Sequence, residues 1–228
     1  MKYNIQATLY ITLIGLILAT VSMSQADEES DVSLSDISNS AERKNGKIDA
    51  SDLDATASRF STLVAQADFS SSADSPMVIR QSTQIAEALL RSMDIRNNRS
   101  HVFNAIDAYL GKLVEAIDPN WKPLPVSANV MPPSGVTNAA AGMNPDAITD
   151  PELRRQYLDR IATNQSNNQK NFIQKELRRS RDRILRIVSS LAVKDSEQGL
   201  QKADILTRFG KDQDCKAILQ ENFNRSGK

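Results

Sequence analysis

The sequence predicts an all-α protein: an irregular helical bundle with one long amphipathic basic helix, a proline-rich extended loop and a disordered acidic amino-terminal tail. Three observations lead there. Apolar residues recur at alternating steps of three and four in several segments, the spacing that gathers side chains on one face of a helix. Helix start signals precede them, Ser75-Pro76 and Thr149-Asp150-Pro151-Glu152. No segment alternates apolar and polar residues as a half-buried strand would.

The longest helix is expected over Thr149–Val193. Thr149 is a cap residue, Pro151 sits where its missing N–H costs nothing, and Glu152 can reach back to the cap amide. Ile173, Leu177, Ser180, Ile184, Ile187 and Leu191 then form an apolar seam. Lys175, Arg178, Arg179, Arg183 and Arg186 fall on the opposite side, as a cationic back. Between the start and the seam lies TNQSNNQKN, residues 163–171, with no apolar side chain and four asparagines that compete for backbone hydrogen bonds. Neither Gly nor Pro interrupts it, so the helix is expected to cross it unbroken, a hairpin there being the alternative.

Overall charge is balanced at 28 basic and 28 acidic groups, but unevenly along the chain. Residues 27–75 carry 4 basic and 11 acidic groups, and residues 151–228 carry 17 and 10. Such opposed ends attract one another within or between molecules, and salt weakens the attraction. The first 26 residues have the form of an export signal: Lys2, an apolar run from Ala7 to Val21, then Ser24, Gln25 and Ala26 before Asp27. The run is short for a membrane span. A periplasmic or extracellular protein is expected, with membrane attachment only if the signal is retained.

Taken in order, residues 27–50 are acidic and Ser-rich with scattered aliphatics, and are expected to be disordered. Residues 51–118 form a helical region. Leu53, Ala57, Phe60, Val64 and Ala67 define its first helix. A second runs from Ser75 with a broad face of Val78, Ile79, Ile85, Ala86, Leu89, Leu90 and Met93. A third starts near Ser100 and faces Val102, Phe103, Ile106, Tyr109, Leu110, Leu113, Val114 and Ile117 inward. The second and third are expected to pair as an antiparallel hairpin. Residues 119–150 hold six of the eight prolines. Trp121, Leu124, Val126, Val130 and Met131 make the first half of that loop too apolar for a free linker, so it is expected to lie extended over the hairpin, with Trp121 packing, a ligand-facing aromatic being the alternative. Residues 151–223 contain the long helix, a helix capped at Asp195 or Ser196 and carrying Leu200, Ala203, Leu206 and Phe209 up to Gly210, and a last helix. There Cys215 shares a face with Ile218, Leu219 and Phe223 and is expected to be buried.

Chemistry-bearing patterns are sparse. His101 is the one histidine and is expected at the surface near a helix start. With a single cysteine and no HExxH, no metal and no cofactor is expected. There is no GxSxG and no Gly-rich phosphate loop. Carboxylates such as Glu87, Asp107 and Glu115 lie on helices with nothing in the sequence to make them converge.

Residues Asn45–Leu53, NGKIDASDL, resemble the second half of an EF-hand or dockerin calcium loop. Gly46 stands at the sharp turn, Ile48 at the apolar position, Asp49 at the ninth and Asp52 at the twelfth. The resemblance implies calcium bound by oxygen ligands, but Ala41 and Arg43 occupy the first and third ligand positions and supply no carboxylate.

The functional expectation is an exported, non-enzymatic helical protein acting by protein–protein interaction or self-assembly. Its contact element would be the long helix, through a coiled-coil-like seam of Ile173, Leu177, Ile184, Ile187 and Leu191 that suits helix pairing either inside the fold or between subunits. The partner would be a second copy or another envelope protein. The alternatives are an anion-binding module for envelope polymers using the five cations, and a hydrolase or lyase with several carboxylates, plus Tyr109 or Tyr157, in a groove under the proline loop. Nucleic acid is disfavoured, because acidic residues dilute the cationic face and no aromatics interleave for base stacking.

Overall fold

The computed structural model describes residues 33–70, 74–97, 99–126, 145–194 and 200–226. They build α1 (Leu34–Arg43), α2 (Leu53–Gln66), α3 (Ser75–Ser92), α4 (Arg99–Ala116), α5 (Pro151–Lys194), α6 (Lys202–Phe209) and α7 (Gln213–Ser226), with a short 3-10 turn at Pro145–Ala147. No strand occurs among the described residues. The export signal and the second half of the proline loop lie outside them; the helix expected to be capped at Asp195 or Ser196 starts instead at Lys202, with Gln201 as its cap.

The acidic segment is not disordered from Ser33 onward, contrary to expectation. Ser33 and Asp36 form a reciprocal capping box, Asp36 N–H donating to Ser33 Oγ at 3.3 Å and Ser33 N–H to Asp36 Oδ2 at 3.0 Å. The Ser33 hydrogen bonds hold the Asp36 carboxyl below its usual pKa. At the other end, Gly46 N–H reaches Ala41 C=O at 2.8 Å and Asn45 N–H reaches Glu42 C=O at 3.1 Å. That is a Schellman stop, with Asn45 and Gly46 at φ 56° and 71°. Between these caps Ile37, Ser38 and Ala41 are buried against α3, to which Ser38 Oγ also donates through Gln84 Oε1 at 2.9 Å.

α5 is one unbroken helix of 44 residues, roughly 66 Å long at about 1.5 Å per residue. Its cap is Asp150 rather than Thr149: Asp150 Oδ1 accepts from Glu152 N–H at 2.9 Å and Leu153 N–H at 3.3 Å.

The core lies between α2, α3, α4 and the carboxy-terminal half of α5, with α6 and α7 closing one side. Phe60 and Phe69 pack on Tyr109 with ring centroids 5.6 and 5.9 Å apart, and Phe103 meets Phe209 edge-on at 5.2 Å. α3 and α4 do touch, but each has a larger neighbour: α4 packs chiefly on α2, and α3 on α5. The face of α3 is broad because it serves four helices, α1, α2, α4 and α5. On α6 the buried residues are Ile205 and Phe209, with Ala203 exposed, so the stripe is rotated from the expected one; Gly210 ends the helix as expected.

Leu177 has no exposed surface, whereas Phe172, one turn away on the same helix, is 40 % exposed. Leu177→Ala is expected to lower stability by about 2–5 kcal/mol and Phe172→Ala by under about 1 kcal/mol, as measured by urea denaturation followed by circular dichroism.

Candidate functional site

The apolar seam of α5 is consumed by the protein's own core. Ile173, Leu177 and Ile184 are buried, Ile187 and Leu191 are half-buried against the same cluster, and Leu185, Val188 and Ala192 widen the buried face. The seam pairs inside the fold, with α3, α4, α6 and α7 covering it. It is not open to a second molecule, which corrects its expected role as the docking surface.

The five cations divide. Arg183 and Arg178 are engaged by other parts of the fold, although Arg183 stays exposed. Arg183 forks onto Glu87 of α3, its Nη2 2.8 Å from Oε2, and Arg91 approaches the same carboxylate at 3.2 Å. Two turns earlier the polarity is reversed, Arg80 of α3 reaching Glu176 of α5 at 3.4 Å, with Arg179 at 3.5 Å. Between the pairs Thr83 donates to Ser180 Oγ at 2.8 Å and shares a 2.8 Å hydrogen bond with Tyr109. Residues 80, 83 and 87 thus meet 176, 180 and 183 in ascending order, so α3 and this half of α5 run parallel in fixed register. The two carboxylates are buried, with side chains 5 % and 12 % exposed, and the arginines cover them from the solvent side. Lys175, Arg179, Arg183 and Arg186 are exposed and Arg178 is half-buried.

The amino-terminal half of α5 has a different character. Of residues 151–172, all described, Tyr157 alone is buried, while Leu158 and Phe172 stand 44 % and 40 % exposed. The first part of the proline loop, expected over the α3–α4 hairpin, is held by side chains at the end of this half and its junction with the core, where Arg80 of α3 also lies over the Phe172 ring. Gln174 accepts from Asp118 N–H at 3.1 Å and donates to Ala116 C=O at 3.0 Å. Asn171 accepts from Leu124 N–H at 2.7 Å and donates to Leu124 C=O at 2.9 Å. Asn167 donates to Pro125 C=O at 2.9 Å, and Arg178 to Asp118 C=O at 2.8 Å. Four side chains at steps of four, three and four along one stripe therefore hold the end of α4 and the main chain that follows it. The guanidinium of Arg178 also lies 5.6 Å from the Trp121 ring centroid, so Trp121 packs, as expected. Its indole N–H is buried and finds no partner among the described residues. Beside this strap runs an open groove of about 450 Å³ lined by Ser70, Trp121, Lys122, Lys170, Ile173 and Gln174 among others. Asp118 is the one carboxylate among its described lining residues.

The remaining candidates are dispersed. Glu87, Asp107 and Glu115 are engaged separately, by Arg183, by Lys211 at 2.7 Å and by Lys112 at 3.9 Å. Tyr109 is sealed in the core and burial drives its phenol well above the usual pKa, while Tyr157 lies far along α5. These groups do not meet in one pocket. In the half-loop at residues 45–53, Lys44 Nζ binds the Asp49 carboxylate, Ile48 packs on the core, and the Asn-Gly pair is the stop of α1. A second open cavity of about 390 Å³ lies there between α1 and α2, with Lys44, Lys47 and Arg59 facing Asp36, Asp49 and Asp52 around it. His101 is exposed near the start of α4, as expected.

No known protein family, curated protein or solved structure matches this chain.

Cys215 is buried on α7, and burial first, then the neighbouring Asp212, push its thiol up to about 12. The thiolate is the reactive form, and a raised pKa leaves only about one thiol in 10,000 ionised at pH 8. Maleimide labelling of the folded protein at pH 8 is therefore expected to be slowed by orders of magnitude relative to the urea-unfolded chain. A native rate within tenfold of the unfolded one would contradict the burial.

Proposed function

We propose that this chain is an exported, non-enzymatic helical protein that works by binding, and that the amino-terminal half of α5 is its contact element. The observation that carries the reading is the unequal use of one helix. Residues 173–192 fill the core, whereas residues 151–172 extend the same rod for about 33 Å with one buried side chain. The core does not need that length for its own apolar area, and it presents Leu158 and Phe172 to solvent. Export rests on Lys2 and the apolar run that follows it. Among the described residues no helix is long and apolar enough to cross a membrane.

Self-assembly is the favoured form of binding, because the net acidic and net basic regions of one copy complement those of another. Binding of an envelope polyanion is the alternative, favoured by the exposure of Lys175, Arg179 and Arg186 on one side of α5.

Light scattering at low and high salt separates the two. Assembly predicts a mass of at least two chains at low salt that falls to one as salt rises. A mass of one chain throughout removes self-assembly. It leaves the polyanion reading only if retention on an anionic column is lost in the Lys175→Ala/Arg179→Ala/Arg186→Ala variant.

A further inference from the structure

The two buried glutamates between α3 and α5 gather more positive charge than they neutralise. Glu87 holds Arg91 and Arg183, and Glu176 holds Arg80 and Arg179, one carboxylate for two guanidinium groups in each layer. The four arginine side chains are 54 to 73 % exposed, so each keeps N–H donors on the solvent side. A guanidinium already held along one edge is pre-organised for an anion at the other. Lys175 and Arg186 extend the same face. At about 100° per residue, Phe172, Lys175, Arg179, Arg183 and Arg186 fall within about 80° of arc on α5, along the edge next to Glu176 and α3. All five are exposed, and from Phe172 to Arg186 they cover about 21 Å of helix. At the borders, Asp182 is bound by Arg181 at 3.0 Å and Glu42 of α1 by Gln84 at 3.1 Å.

Exposed apolar side chains lie on this side as well. Among the described residues the large ones are Met77, Leu158 and Phe172. Met77 stands one turn before Arg80 on α3, the Arg80 guanidinium lies 5.1 Å from the Phe172 ring centroid, and Leu158 is within about 40° of Phe172 around α5. A soluble polyanion would use the cations and leave the apolar groups in water. An anionic bilayer surface uses both, its phosphates meeting the cations while a thioether or a ring enters the boundary between head groups and acyl chains.

We propose that the face shared by α3 and α5 is a membrane-contact surface whose partner is an anionic phospholipid bilayer. Arg80, Arg91, Arg179 and Arg183 bind head-group phosphates with the N–H donors that Glu87 and Glu176 do not engage. Met77 and Phe172 enter the interface beside them. α5 lies along the surface, since among the described residues no helix is long and apolar enough to cross it. The inference rests on reading α5 as the contact element, takes the polyanion alternative and names the polyanion.

An environment-sensitive fluorophore attached at Met77→Cys on the full chain tests it, the burial of Cys215 leaving position 77 as the accessible thiol. Phosphatidylglycerol vesicles are expected to shift its emission to the blue, and phosphatidylcholine vesicles and soluble dextran sulfate are not. The apolar run from Ala7 to Val21 is present in every sample, and lipid held by that run alone leaves position 77 in water. In Lys175→Gln/Arg179→Gln/Arg186→Gln the lipid concentration at half-shift is expected to rise about 100-fold, about fivefold for each cation. Should circular dichroism show lost helix, Lys175→Gln/Arg186→Gln replaces that variant, with an expected rise of about 25-fold, because it leaves both buried carboxylates their arginines. No shift with phosphatidylglycerol, an equal shift with phosphatidylcholine, or a half-shift concentration that the variants leave unchanged overturns the proposal. Binding of dextran sulfate without any vesicle shift overturns it while leaving the polyanion reading in place. Self-assembly is read separately, from the mass without lipid.

Discussion

The constraint on which this structure depends is the helical continuity of α5 from the core into solvent. The two halves are stabilised by different means. From Ile173 onward, burial between α3, α4, α6 and α7 holds the helix, and the parallel register with α3 is fixed by two ion pairs of opposite sense around the Thr83–Tyr109–Ser180 hydroxyl cluster. A shift of one residue would part both inter-helix pairs and leave buried Glu87 and Glu176 only the arginines of their own helices, Arg91 and Arg179, which is costly. Before Phe172, burial contributes little. There the helix depends on the Asp150 cap, on an anchored carboxy-terminal half that removes the cost of nucleation, and on the amide contacts to the strap.

Those amide contacts explain a stretch that otherwise looks like a defect. TNQSNNQKN is poor in helix propensity, and each asparagine costs a few tenths of a kcal/mol relative to alanine. Asn167 and Asn171 are engaged with the strap main chain, and such hydrogen bonds contribute about 1 kcal/mol each at most when solvent competes for the same groups. The balance is near zero. It maintains the helix and keeps the strap in place without locking either.

Much of the architecture was legible in the sequence. The all-α class, the extents of α2, α3 and α4, the continuity of α5 and the burial of Cys215 all follow from three-four periodicity and from caps. Three features were not. α1 was missed because its ten residues carry few apolar side chains, although the Ser33–Asp36 box and the Asn45-Gly46 stop bracket it and Leu34, Ile37 and Ala41 keep helical spacing. The roles of Arg178 and Arg183 were missed because angular position on a helix says which side a residue faces, not whether a distant segment or a buried carboxylate will meet it there. The contacts from α5 to the strap were missed because the partner is a main chain some fifty residues away. Asparagine spacing alone gives no sign of such a partner, although the steps of four, three and four from Asn167 to Arg178 were visible.

The seam, for its part, shows the limit of amphipathicity as a guide to assembly. An apolar stripe must be covered, but a chain with six other described helices can cover it internally, and here it does. What the core leaves over is the front half of the rod. The most direct test of this account is the distance between spin labels placed at Arg155 and Arg186, both exposed, on the full chain. An unbroken α5 predicts a single distribution centred near 47 Å, about 1.5 Å for each intervening residue. A distribution centred below about 35 Å would mean that the helix folds back within residues 163–171, and would contradict the rod, its exposed half and the contacts to the strap together.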